Sequence, residues 1–249
     1  MQAGASGSEA QAHGGVFATT HWSVVLAARE PASPEARGAL ETLCRLYWLP
    51  IYAYIRRRGY SAEAAQDLTQ EFFTRLLASN GLRNVGPAKG KFRSFLLASV
   101  NHLLCDEWDR ASRQKRGGGQ CVISFDAQTA EGRYRLEPAD QLTPERIFDR
   151  RWATALVEET LRRLEAEYVS AGKAEVFRTL KDSLTVTKGD WDYRAAAQRL
   201  KLTEGAARIA VHRLRCRFGK LFRAAVANTL SDPAELDAEI RYLLAALSD

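Results

Sequence analysis

The chain has 249 residues, of which 46% are apolar and 27% charged, an ordinary globular composition that allows two modest domains. Lysine and arginine outnumber the acids by 36 to 30, so the net charge of +6 has functional meaning only where it is concentrated. The first fifteen residues lack the basic and apolar regions of a targeting peptide, and no apolar run approaches membrane-spanning length. We therefore expect a cytoplasmic protein without membrane insertion.

The cysteines and histidines give no sign of a metal site or a disulfide framework. The four cysteines are scattered without ligand spacing, and the four histidines lie on separate predicted elements. Two pairs of acids suggest a carboxylate metal site: Glu158 with Glu159, and Glu165 with Glu167. A solvated helix with Arg162 and Arg163 nearby explains them more simply. We expect no catalytic site, no metal and no cofactor, and hence no enzyme.

Apolar residues recur at helical spacing in nearly every long segment, which predicts an all-α fold of two helical domains joined by a flexible linker. The only β-like patch is Val122 to Phe125, and a weak helix is expected from Thr20 to Glu30. Three consecutive glycines open the linker, and Thr143 followed by Pro144 caps the next helical unit. The predicted parts are an N-terminal extension (1–32), a first helical domain (33–116), a linker (117–143), a second helical domain (144–230) and a C-terminal helical extension (231–249).

In the first unit, the helix from Ser61 to Ala78 separates an apolar side from a compact polar side. The polar side carries Asp67, Gln70, Glu71 and Thr74. Such a face is either a solvated surface or a docking site for a basic partner helix, and spacing alone leaves both open.

The next helix, from Lys91 to about Arg116, ends in a basic tail that follows Trp108 by one turn. An aromatic ring beside basic residues is typical of single-stranded nucleic-acid binding, where bases stack and phosphates pair with cations. Trp108 is equally compatible with a place in the core.

The second unit contains a predicted helix-turn-helix. Asp192 can cap a helix from Tyr193 to Leu200, and Thr203 can cap a second helix after a three-residue turn. Apolar residues at spacings of four and three are expected to bury one face of the second helix. They are Ala207, Val211, Leu214 and Phe218.

The opposite face of that helix is strongly basic, with Arg208, His212, Arg213 and Arg215. From Arg194 to Arg223, nine lysines and arginines stand against one acid, a local charge of +8. The alternative is a basic helix whose charged face only contacts solvent. Capping, turn length, core spacing and charge together favour insertion into the major groove of DNA instead.

A short amphipathic helix is expected after the Asp232-Pro233 cap signal. Its apolar positions are Leu236, Ile240, Leu243 and Leu244, and its acids are Asp232, Glu235, Asp237, Glu239 and Asp249, against one Arg241. This acidic helix either folds back on the basic recognition region and restrains it, or simply packs beside the last helix.

Two parts of the sequence resemble a known family. The segment AQDLTQEFFTRL from Ala65 resembles the conserved region 2 helix of sigma-70 factors, and KFRSFLL from Lys91 with its basic tail resembles the promoter-melting helix. The segment YRAAAQRLKLTEGAARIAVHRLR from Tyr193 looks like region 4 of the same family. The resemblance covers roughly 40–116 and 152–222, and the order without a third domain is similar to the extracytoplasmic-function (ECF) type.

The resemblance implies a transcription initiation factor with core RNA polymerase and promoter DNA as partners. Polymerase docking falls on Asp67, Gln70 and Glu71. Contacts to the minus-ten element fall on Arg93, Asn101, His102, Trp108, Arg110, Arg113, Lys115 and Arg116. Contacts to the minus-thirty-five element fall on Thr203, Glu204, Gly205, Ala206, Arg208, Ile209, His212 and Arg213.

The sequence departs from the family pattern at several positions. His102, preceded by Asn101, stands where many ECF factors have asparagine, and Ala206 and Ala207 replace larger residues of the recognition helix. An unusual promoter sequence is therefore expected. The alternative is a helix-turn-helix regulator that does not bind polymerase, and an anti-sigma partner or other regulator is left open.

Overall fold

The computed structural model describes Val25, Ala28, residues 34–78, Leu82, 85–86, 90–113, 142–186, 190–230 and 232–248. Several sequence predictions therefore lie outside the described residues. These are the body of the helix expected over residues 20–30, the β-like patch at 122–125, the glycine-rich start of the linker, and Lys115 and Arg116.

The all-α prediction is confirmed: the described residues form eight α-helices and no strand. The helices are α1 (Pro34–Arg57), α2 (Ala62–Ala78), α3 (Phe92–Arg113), α4 (Pro144–Ser170), α5 (Ala174–Leu180), α6 (Tyr193–Leu200), α7 (Glu204–Ala227) and α8 (Leu236–Ser248). Short 3-10 turns at Lys181–Leu184 and Pro233–Glu235 precede α6 and α8.

The predicted helix caps are present as hydrogen bonds from backbone N–H groups to side-chain oxygens. Thr143 accepts from the N–H of Arg146 at 3.3 Å, with Pro144 in the first helical position. At the helix-turn-helix, Asp192 accepts from Ala195 at 3.0 Å and Thr203 from Ala206 at 3.2 Å. Because each cap satisfies a backbone donor that the helix itself cannot, these residues fix where α4, α6 and α7 begin.

One large hydrophobic core joins both halves of the chain. The helices α1 and α4 pack against each other, and the core also takes residues from α2, α3, α7 and α8. Trp152 of α4, Tyr47 of α1 and Leu243 of α8 are all buried within it. The helices predicted to form two separate domains therefore share apolar packing, and the division into domains stays a prediction.

A smaller core holds the helix-turn-helix together. It consists of Leu164, Phe177, Leu180, Ala196, Val211 and Leu214 from α4, α5, α6 and α7. As the sequence predicts, Ala207, Val211 and Leu214 are buried along one face of α7, whereas Phe218 is only half-buried. The second helix of the motif is thus held by its apolar face and presents its N-terminal polar face to solvent.

Candidate nucleic-acid interface

The polar face of α2 is accessible at the residues predicted to dock a partner. Asp67 is exposed, and Gln70 and Glu71 are half-buried. The Glu71 carboxylate accepts a hydrogen bond from Arg75 one turn later and lies 3.6 Å from the Arg110 guanidinium of α3. The acidic face of α2 therefore borders the C-terminal half of α3.

Trp108 lies at the surface of α3, where 71% of its area is exposed, so its alternative place in the core is excluded. It separates two open hollows. The first, of about 400 Å³, is also lined by Tyr60, Ala64, Asp67, Leu68, Glu71 and Glu107. The second, of about 500 Å³, is also lined by Arg58, Tyr60, Asn101, Leu104, Cys105 and Asp109. An exposed indole between two concave surfaces is well placed to stack on a planar group.

The other α3 residues predicted to contact DNA have different surroundings. Asn101 Oδ1 accepts hydrogen bonds from the Tyr54 hydroxyl at 2.8 Å and from Arg58 Nη2 at 2.6 Å, which fixes the orientation of its amide. His102 is exposed. Arg110 is exposed and donates to Glu107 at 3.0 Å. Arg113 ends α3, and its side chain lies outside the described residues.

Arg93 does not join this surface. It lies fifteen residues before Trp108 on the same helix, a separation of about 22 Å. Its side chain is largely buried and forms ion pairs with Asp149 at 3.4 Å and with Glu239. Arg93 thus lies at the N-terminal end of α3, Asn101 near its middle, and Trp108 and Arg110 near its C-terminal end.

The predicted recognition face at the start of α7 forms one accessible surface. Ala206 is half-buried, and the other predicted residues are exposed: Thr203, Glu204, Gly205, Arg208, Ile209, His212 and Arg213. The Arg208 guanidinium lies 4.3 Å from the centre of the Tyr193 ring and 2.7 Å from Glu204. Ile209, with 54% of its area exposed, provides an apolar patch among these polar groups.

Arg215 does not belong to the exposed basic face, so its predicted placement there is wrong. Its guanidinium is half-buried and donates to the backbone oxygens of Ser183, at 2.6 Å, and Val186, at 3.0 Å. It therefore holds the 3-10 turn against α7. These carbonyl acceptors carry no side-chain signal, and periodicity alone could not have identified them.

Other basic residues of this region also have internal partners. Arg217 donates to Glu167 at 2.7 Å, and this hydrogen bond raises the pKa of the Arg217 guanidinium further above its ordinary value. Arg199 lies 3.2 Å from Glu175, and Arg223 lies 2.8 Å from Asp237. The positive charge seen in the sequence is thus partly neutralised on α6 and α7, while Arg213 at the predicted recognition face remains exposed.

The protein has an all-α fold in which an exposed tryptophan lies beside an acidic helix, and a basic helix-turn-helix forms a separate surface. This combination suits nucleic-acid binding. Residues 45–114 match the family model described as sigma-70 region 2, which includes all of α2 and α3. The match supports a sigma-70 family factor with a role in promoter recognition and melting, a role that implies binding of core RNA polymerase and promoter DNA.

Comparisons with curated proteins and with solved structures gave no match. None of the described helices combines the length and the apolar character required to cross a membrane.

Proposed function

We propose that this protein is a sigma factor of the ECF type, which binds core RNA polymerase, directs it to specific promoters and assists their opening. The observation that carries the proposal is the region 2 match over residues 45–114, followed in the chain by a capped, basic helix-turn-helix. A regulator that only bound DNA would need the helix-turn-helix but not the region 2 segment.

In this proposal, α2 docks onto the clamp helices of the largest polymerase subunit through Asp67, Gln70 and Glu71. Exposure of Asp67 and partial exposure of Glu71 support this role, because carboxylates at the rim of an interface steer a basic partner. Glu71 would exchange its present contact with Arg110 for a contact with polymerase, and this exchange would leave Glu107 as the acid paired with Arg110.

The C-terminal half of α3 is proposed to open the minus-ten element and to hold its single strand. Trp108 provides the stacking surface, with Arg110 close to it in sequence and with Asn101 and His102 near the middle of the helix. Arg113, Lys115 and Arg116 extend the positive charge that would pair with phosphates.

The N-terminal half of α7 is proposed to read the minus-thirty-five element in the major groove. Arg208, Ile209, His212 and Arg213 supply the side chains that reach base edges or phosphates. The first turn of α7 follows the Thr203 cap and contains the small residues Gly205 and Ala206, so a phosphate can approach the N-terminal end of the helix closely.

Polymerase docking is tested by combining Asp67→Ala with Glu71→Ala in the full chain. We expect this double variant to lose binding to core polymerase in a pull-down while its affinity for duplex DNA is retained. Glu41→Ala with Glu165→Ala is the matched control, because it removes the same charge from exposed positions on α1 and α4. Normal polymerase binding by the Asp67 and Glu71 variant would show that the docking assignment is wrong.

The function as a whole is tested by transcription in vitro, with core polymerase and the full chain on a library of random promoter templates. We expect transcripts that depend on the added protein and that share a common upstream sequence. DNA binding without any dependent transcript would instead indicate a helix-turn-helix regulator.

A further inference from the structure

The C-terminal helix α8 packs on helices of the second half of the chain. It contacts α4 and α7, and its residue Leu243 is fully buried in the large core. Leu236, Ile240 and Leu247 pack against the same core from the sides. This apolar face fixes α8 in one position, from which its acidic residues reach other helices.

The most buried acid of α8 points at the start of α3. Glu239 has only 3% of its area exposed, and its carboxylate accepts a hydrogen bond from Lys91 Nζ at 2.7 Å and another from Arg93. A carboxylate removed from water is costly unless its charge and its lone pairs are matched. Lys91 and Arg93 together provide that match, so the position of α8 depends on these two cations.

Arg93 connects three helices. Its guanidinium lies 5.0 Å from the ring of Trp152 on α4 and 5.3 Å from the ring of Tyr242 on α8. It also pairs with Asp149, which accepts a hydrogen bond from the Tyr242 hydroxyl. At the other side of α8, Asp237 lies 2.8 Å from Arg223 of α7. Through these contacts α8 ties the start of α3 to the helices of the second unit.

We propose that α8 is an intramolecular clasp: the Glu239 carboxylate occupies Lys91 and Arg93 in the place of a nucleic-acid phosphate, and it ties the start of α3 to α8 and to the helices on which α8 packs. The contacts of Glu239 with Lys91 and with Arg93 are charge-assisted hydrogen bonds, which a phosphate group also makes with lysine and arginine. Release of α8 would remove Glu239 from both cations and leave Arg93 beside Asp149, so a phosphate would be able to pair with them at the N-terminal end of α3, away from Trp108.

The link between this clasp and promoter binding rests on the proposed function. Minus-ten and minus-thirty-five elements lie about 25 base pairs apart, a distance of about 85 Å along the duplex. The longest described helix, α4, spans only about 40 Å, and α3 and α7 contribute to one core. A compact chain of 249 residues has a radius of gyration of about 18 Å, so one folded body is too small to reach both elements, and the packing of α1 on α4 must open as well as the clasp.

The clasp is tested first by its effect on the shape of the isolated full chain. Glu239→Lys places a third cation beside Lys91 and Arg93, whereas Glu165→Lys makes the same change of charge at an exposed position of α4. By small-angle X-ray scattering, we expect Glu239→Lys to increase the radius of gyration by about a tenth with unchanged helical circular dichroism, because α8 leaves the core while α1 and α4 stay packed together. The Glu165→Lys control should keep the wild-type radius.

Two further variants keep this test decisive. Lys91→Glu combined with Glu239→Lys restores one opposite-charge pair, and we expect it to bring the radius back toward the wild-type value. If Glu239→Lys loses helical signal, Glu239→Gln replaces it with the same expected expansion. A wild-type radius for a folded Glu239 variant overturns the clasp.

The second measurement is promoter binding in the presence of core polymerase. We expect Glu239→Gln to bind promoter DNA several-fold more tightly than wild type, and we expect adding Arg93→Ala to cancel that gain. An expanded Glu239 variant without this gain would overturn the competition with phosphate. Scattering involves neither polymerase nor DNA, so a failure of the proposed function would leave the scattering result intact.

Discussion

Lys201, in the turn of the helix-turn-helix, has a left-handed backbone with φ of 55°. Its neighbour Leu202 donates its N–H to the Ala197 carbonyl at 2.9 Å, which closes the end of α6. A side chain in this conformation costs on the order of 1 kcal/mol, because Cβ crowds the following carbonyl oxygen. Glycine, which has no Cβ, is the usual residue here.

We expect Lys201→Gly to raise the free energy of unfolding by about 0.5–1 kcal/mol, since the relief of strain exceeds the added entropy of the unfolded chain. Urea denaturation followed by circular dichroism measures this difference. Lys201→Ala removes the same charge and keeps Cβ, so it should remain close to wild type. Equal stabilisation by alanine would mean that charge, and not backbone strain, is responsible.

Cys44 of α1 illustrates how burial changes a reactive group. Burial and, to a lesser extent, the charge of Glu41 raise the pKa of the Cys44 thiol to about 11, from an ordinary value of 9.0. At pH 8 this lowers the thiolate fraction by about 100-fold. We expect a thiol reagent to label exposed Cys105 well before Cys44 in the folded protein, as peptide mass spectrometry can show. In urea the two should react at similar rates; if Cys44 reacts as fast as Cys105 in the native state, its burial is not maintained in solution.

Within α7, two arginines separated by one residue in sequence have opposite roles. Arg213 is exposed on the recognition face, whereas Arg215 donates to the carbonyl oxygens of Ser183 and Val186. We expect Arg213→Ala to leave stability within about 0.5 kcal/mol of wild type and to weaken binding to promoter DNA. If Arg213 contacts a phosphate, the slope of log affinity against log salt falls by about 0.9.

Arg215→Ala should lower the stability of the protein and leave its contacts with DNA unchanged. It leaves partly buried carbonyl oxygens without their charged donor, so we expect a loss of about 1–3 kcal/mol in the free energy of unfolding. Its salt slope for DNA binding should equal that of wild type when both are measured under conditions where the proteins are folded. A reduced salt slope for Arg215→Ala would show that its side chain leaves the 3-10 turn to contact DNA.

At the scale of elements, what could be predicted from the sequence depends on how far apart the interacting residues lie. The caps at Thr143, Asp192 and Thr203 and the buried face of α7 are local, so their spacing indicated them directly. The acceptors of Arg215 lie 29 and 32 residues away, and the partner of Arg93 on α8 lies 146 residues away. Such contacts are decided by tertiary packing, and for this reason Arg93 and Arg215 were not distinguishable from exposed arginines.

At the scale of the whole molecule, the two hydrophobic cores do not coincide with the two helical domains predicted from the sequence. The large core runs through α1, α4 and α8, whereas the small core is confined to α5, the helix-turn-helix and the C-terminal part of α4. The helix α4 belongs to both, with Trp152 in the large core and Leu164 in the small one. Loss of packing in the large core should therefore be felt across the predicted linker, and loss in the small core should not.

Trp152→Ala and Leu180→Ala test this division. Both side chains are buried, so each change is expected to cost a few kcal/mol: about 3–5 for tryptophan and 2–5 for leucine. Measured by hydrogen exchange, Trp152→Ala should accelerate exchange in α1, ahead of the linker, because α1 and α4 pack together. Leu180→Ala should accelerate exchange in α6 and α7 and leave α1 protected. Unchanged protection of α1 in Trp152→Ala would mean that the first unit is stable without α4, and that the shared core contributes little to holding the two halves together.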